Sequence, residues 1–307
     1  MSEGSAPQHP AAARRIVLVG IGWMLLCTVV SIAMQAMVRQ ISSEIHPFEV
    51  AFFRHFMGLF FLAAMFQGVG WSAMRTSNWS MHLVRAVANS AAMMAFFVAL
   101  TLAPFANVTA LGFAAPLFAA IGAALFLGEK MRLRRWIATA AGFCGVLVIV
   151  RPGFAEVGIG ELLVLFSSVG WAVALLLIKT MSRTESALTI TAYMSLLLSP
   201  ITLAFAVFVW TWPSLTQLLW LTGIGFFGTI GQFSLNQALR RGEIAVVMPI
   251  DFVRVIWASL IGIYLFGEPP DAWVGLGAAI IVASTSYIAY RESRVKGRVE
   301  SAPTPSA

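Results

Sequence analysis

Ala99 to Glu129 reads ALTLAPFANVTALGFAAPLFAAIGAALFLGE, and Ala238 to Glu268 reads ALRRGEIAVVMPIDFVRVIWASLIGIYLFGE. Both open on Ala-Leu and close on an aliphatic or aromatic residue followed by Gly-Glu, and every shared mark is displaced by 139 residues. Each stretch is long enough for one apolar helix, and each closes where glycine can adopt the left-handed conformation that ends a helix. An equal displacement along the whole stretch predicts an internal repeat, which changes the expected fold.

The remainder of the chain agrees with an apolar solvent. Of 307 residues, 59% are hydrophobic and 11% charged. Soluble domains carry about 25% charged residues, so this chain lacks the material for a water-facing surface. A membrane span needs roughly 20 mainly apolar residues, and about ten such stretches follow one another here. Their expected limits are Ile16–Met37, Pro47–Phe66, Met81–Leu102, Phe105–Leu127, Leu133–Val150, Ile159–Ile178, Leu188–Trp210, Leu218–Leu239, Ala245–Phe266 and Trp273–Tyr290. Residues 1–13 and 292–307 are rich in Ser, Pro and Ala or in basic residues, and are expected to be disordered cytoplasmic ends. The first apolar run is too long for a signal-peptide core and is read as an uncleaved helix.

The net charge of +7 excludes less than its size suggests. Fifteen of the twenty basic residues fall in alternate inter-helix loops and at the ends, among them Arg14, Arg75, Lys130, Lys179, Arg240 and Arg294. The opposite loops hold Arg39 and Arg151 alone. This asymmetry is the positive-inside pattern. It argues against a nucleic-acid partner and predicts that both termini face the cytoplasm. Five helices per half is an odd number, so residues 14–151 and 152–291 must enter the bilayer with opposite orientation. The expected fold is an all-α integral membrane protein of ten transmembrane helices in two five-helix inverted repeats. In such folds a site at the bilayer midplane is exposed alternately to each side.

Three sets of residues carry a family resemblance: Pro116 before the Gly128-Glu129 corner, His46-Pro47-Phe48-Glu49 with Phe52-Phe53-Arg54, and Pro249-Ile250-Asp251-Phe252. With the five-plus-five helix pattern and the Gly-Glu corners closing helices 4 and 9, the first resembles the EamA-like branch of the drug/metabolite transporter superfamily over about residues 14–291, and the other two resemble one bacterial subgroup within it. The second repeat departs from that pattern by lacking a proline near Val255. The resemblance implies a multi-pass transporter in the cytoplasmic (inner) membrane. It would carry amino-acid derivatives, riboflavin-like vitamins or S-adenosylmethionine-like compounds; a coupling proton and a homodimer are left open.

Candidate pathway residues are the polar and aromatic side chains set within the apolar runs. Arg54 lies about 10 Å inside its helix, and Glu49, five residues before it, falls on another face; Arg54 therefore needs an anion, a carbonyl or a distant carboxylate. Arg85 and Asn89 share a face of helix 3, where Arg85 can also snorkel to the interface. Gln232 and Asn236 repeat the four-residue spacing on helix 8, as amides that serve either a cavity or helix packing. Asp251 and Arg254, three apart, can neutralise each other about 25 and 21 Å from the Glu268 end. Trp171 and Trp257 are candidates to clamp a planar or cationic ligand. His55 reads as a packed histidine. Glu49, at the third helical position, and Glu129 and Glu268, after their glycine corners, read as helix caps. No cofactor or metal is expected: Cys27 and Cys144 stand alone, and no HExxH, Walker or nucleophile-elbow motif is present. The competing readings are a membrane enzyme using Asp251, Glu49 and His55 as acid–base groups, and a non-transporting helper subunit.

Overall fold

The computed structural model describes residues 10–67, 74, 76–126, 133–152, 158–181, 184–241, 250–269 and 271–300. Among these residues eleven α-helices are bounded, in order α1 Pro10–Ile41, α2 Pro47–Gln67, α3 Trp79–Leu102, α4 Phe105–Gly112, α5 Ala115–Phe126 and α6 Leu133–Val150. They continue with α7 Ile159–Met181, α8 Ala187–Ala206, α9 Leu215–Arg241, α10 Val253–Phe266 and α11 Ala272–Glu300. Among the described residues, eight helices are long and apolar enough to cross a membrane, with α4 and α5 counted as one span. Two shorter apolar helices, Val253–Phe266 and Ala272–Ile288, complete the bundle.

Local chemistry sets many of the helix limits. Pro47 opens α2 because its missing N–H costs nothing at a first helical position. Ser186 caps α8 by accepting from the Thr189 N–H at 3.1 Å. Asp271 does the same for α11, accepting from the Trp273 N–H at 2.8 Å. Gly267, at φ 64°, ends α10, and the Glu268 N–H returns to the Gly262 carbonyl at 2.9 Å.

Three expectations need correction. The fourth span is not one continuous helix. Pro116 cannot donate to the Gly112 carbonyl, so the backbone tightens before it, with Phe113 and Ala114 bonding three residues back to Ala110 and Leu111. The first helix starts at Pro10, inside the stretch expected to be disordered. The last runs on to Glu300, because good helix formers follow Tyr290 and no proline intervenes before Pro303. The Gly128-Glu129 corner and Pro249 lie outside the described residues.

The helices pack in a definite set of pairs: α1 with α9, α3 with α7, α6 with α11, α2 with α8 and α9, α3 with α8, α4 with α10, and α5 with α7. A large apolar core runs through the bundle with a smaller cluster around Met24, Cys27 and Ala238, while Phe60, Phe126, Leu133 and Tyr264 face outward as lipid-facing side chains do. Polar ties cluster at the two ends. At the end where α1 stops and α2 starts, Arg39 pairs with Glu268 and Arg151 with Asp271, each at 2.5 Å. At the other end Glu185, just before α8, accepts hydrogen bonds from Thr76 and from the Asn78 amide (3.0 Å), and pairs with His82 at 2.7 Å.

Candidate functional site

A polar pocket lies near halfway along the helices, where α2 meets α8 and α9. Arg54 and His55 come from α2; Thr191, Met194 and Ser195 from α8; Gly228, Thr229 and Gln232 from α9. Glycine lets α9 approach α2 closely enough to form it. A Cβ at Gly225 would stand 2.6 Å from the Met57 Cβ, and one at Gly228 would stand 3.0 Å from Arg54 Nε. The first distance admits no side chain without a shift and the second is tight, so α9 lies backbone-first against α2.

Arg54 is the centre of charge in this pocket. Its Nη1 donates to His55 Nε2 at 2.8 Å and to Met93 Sδ at 3.2 Å. Its Nε is buried and has no partner among the described residues. Because Nε2 of His55 accepts from a guanidinium, the imidazole proton sits on Nδ1, which faces Ser195 Oγ at 3.5 Å. Thr229 donates to the Gly225 carbonyl at 2.8 Å, and Asn236 donates to Thr191 Oγ1 at 2.7 Å. Arg54, Gln232 and, through Thr191, Asn236 are thus brought into one neighbourhood.

The other sequence candidates lie elsewhere. Arg85 is buried, 2% exposed, and donates from Nη2 to the Ile190 carbonyl at 2.6 Å, so it does not snorkel. Asn89 is buried one turn further along α3. Asp251 and Arg254 pair as expected, with Arg254 over the Phe113 ring and beside Cys27. Trp171 tilts against Phe96 at 4.8 Å between centroids. Trp257 is exposed on the bundle surface. Among the described residues no group of three or more His, Cys, Asp or Glu side chains could hold a metal ion.

Glu49 and Glu268 do not cap their own or the following helices, and Glu129 lies outside the described residues. Glu268 Oε2 accepts from the Phe105 N–H at 2.8 Å and so caps α4 in the other sequence half; its other oxygen meets Arg39. Pro104 fixes the turn that aims this N–H outward, and Asp271 already serves α11. Glu49 is fully buried and accepts from both the N–H and the hydroxyl of Thr211, each at 3.1 Å. It ties α2 to the connection between α8 and α9.

Sequence reasoning did not single out Thr191 and Ser195. The signal was available: Thr191, Ser195 and Ser199 recur every fourth residue on a mainly apolar helix, followed by Thr202, and all four are buried.

An all-helical, multi-pass bundle with a small polar pocket at mid-depth is the architecture of a membrane transporter. The chain belongs to the EamA-like transporter family, whose profile matches it twice, over residues 18–151 and 158–290. It is therefore of a transporter family and not an enzyme family. It is 29% identical to the S-adenosylmethionine uptake transporter of Rickettsia felis, over 93% of this chain and 97% of that one. It is 30% identical to the riboflavin transporter of Rhizobium johnstonii, over 96% and 97% of the two chains. A crystal structure 19% identical in sequence superposes with a TM-score of 0.63, covering 94% of this chain and 99% of that one, and shares the fold.

Proposed function

We propose that this protein is a secondary transporter of the bacterial cytoplasmic membrane that moves a small organic metabolite by alternating access. Its ten spans form two inverted repeats with both termini in the cytoplasm, and its substrate binds at the Arg54 pocket between the halves. The observation that carries the reading is the position of that pocket: a cation and several neutral polar groups, contributed by α2 of one half and by α8 and α9 of the other, at mid-depth in an apolar bundle.

The helix pairing supports the inverted repeat. With α4 and α5 as one span, exchanging each helix for the one five spans away turns α1–α9 into α7–α3. The same exchange turns α2–α9 into α8–α3 and returns α2–α8, α6–α11 and α4–α10 to themselves. The double match of the family profile supports it independently. Asp251 and Arg254 line the cytoplasmic part of the pathway, because an intramembrane ion pair is costly unless a wet cavity or a substrate uses it. Arg85 and Asn89 lie on the same side of the pocket.

The names of the relatives make S-adenosylmethionine and riboflavin the first substrates to try. Purified protein in sealed liposomes preloaded with one compound should drive counterflow of its labelled form, recovered chemically unchanged. Conversion of the label to a product would favour an enzyme, and no flux of either compound or of amino acids would favour a helper subunit.

A further inference from the structure

We infer that the Arg54 pocket is a subsite for a single carboxylate, so that the substrate is an amino-acid-like molecule and not a neutral one; this rests on the transport reading above. The charge balance carries it. Each carboxylate in a described ion pair is committed to another base: Asp251 to Arg254, Glu268 to Arg39, Asp271 to Arg151 and Glu185 to His82. Arg54 has no acidic partner among the described residues, and its contacts are an imidazole nitrogen and a thioether. A cation left at mid-depth without a counter-charge is expensive, and an incoming anion removes that expense.

The geometry selects the kind of anion. Arg54 lies against the α9 backbone at Gly228, where there is no side chain to displace it, and its planar head offers several donors in one plane. A guanidinium matches a carboxylate two-pronged, and the Ser195 hydroxyl and Gln232 amide stand in the same lining as neutral polar partners. Among the described residues no second cation lines the pocket, so a phosphate dianion would keep negative charge that these residues do not compensate, in a poorly polarisable medium. Met194 lines the same space and Met93 lies behind it against Arg54 and His55, and the Met194 thioether adapts to an apolar body attached to the charged end.

The test is a set of matched ligands on the full-length purified protein. Thermal unfolding is followed while titrating S-adenosylmethionine against its carboxamide, methionine against methioninamide, riboflavin as the neutral probe, and sodium chloride as the anion control. A hydrogen-bonded charge is worth about 1.5–3 kcal/mol, so the carboxylate of a pair should bind about 10- to 100-fold more tightly than its amide. Arg54→Gln should collapse that difference, and the wild-type comparison stands even where this variant folds poorly. Equal binding of acid and amide, or stabilisation by chloride alone, overturns the subsite. So does counterflow of riboflavin with no response to any carboxylate, although it would leave transport intact. No binding and no flux with any probe overturns both.

Discussion

Arg39 and Glu268 meet at 2.5 Å from opposite halves of the chain, and the same carboxylate caps the Phe105 N–H of a third segment. Arg39 adds a 3.3 Å bond to the Ala103 carbonyl and lies 4.5 Å from the centre of the Phe266 ring. One glutamate therefore joins the ends of α1, α4 and α10, and under the alternating access proposed above this join is the one that loosens on that side.

Both side chains are largely buried, but Arg39 keeps the Ala103 carbonyl and the Phe266 ring when the carboxylate is lost, so it is left partly satisfied. Glu268→Gln keeps an acceptor for Phe105 but loses the charged partner of Arg39 and should cost about 1.5–3 kcal/mol. Glu268→Ala removes the cap as well and should cost about 1–2 kcal/mol more. Thermal unfolding in detergent distinguishes the two; equal losses would mean that the Phe105 bond contributes nothing.

At the opposite end Glu185 supplies a pH test. Burial alone would raise its pKa, but hydrogen bonds from Thr76, Asn78 and His82 outweigh burial and hold it below its ordinary 4.5. A depressed carboxylate stabilises the fold at pH values above the unfolded pKa and loses that contribution as pH falls through the folded one. Relative to Glu185→Gln, the wild type should hold its stability advantage at pH 6 and lose it progressively below about pH 4.5. An advantage that persisted unchanged to pH 3 would contradict these contacts.

Close backbone approach predicts opposite effects for two glycines. Gly225→Ala would drive a methyl into Met57 and should cost about 1–3 kcal/mol. Gly22→Ala meets nothing within 4 Å and should be neutral or stabilise by up to about 1 kcal/mol. Melting temperatures that moved together would remove the argument for a tight α2–α9 contact.

Asp251→Asn leaves Arg254 without its partner and should cost about 3–5 kcal/mol. The double change with Arg254→Gln removes both charges and should regain most of that stability. Flux should nevertheless stay low in the double variant when it is monodisperse. Restored flux would return the pair to a purely structural role.

Several elements were legible in the sequence because their signals are local. The limits of α6 coincide with expectation, and α2 opens at Pro47 where a first-turn proline belongs. Gly267 ends α10 as a left-handed glycine should. The break after Gly112 was missed because the whole stretch is apolar, and only the missing Pro116 donor distinguishes it. Arg54 stood out as a charge in an apolar run, whereas Thr191 and Ser195 did not, since buried hydroxyls often just bond back along their own helix, as Ser199 does to the Ser195 carbonyl. The partners of Glu49 and Glu268 lie in the other half of the chain, and nothing near either residue announces them.

Alternating exposure of the pocket is tested most directly at Ser195. In a background with Cys27 and Cys144 replaced by Ser, Ser195→Cys is labelled by a membrane-impermeant thiol reagent from each side of sealed, oriented vesicles. Arg39→Cys and Glu268→Cys are then joined by a bifunctional thiol cross-linker before labelling. The expected result is reaction from both sides without the cross-link, and reaction from the cytoplasmic side alone with it. Labelling that is confined to one side throughout, or unaffected by the cross-link, would contradict a site shared in turn by the two faces of the membrane.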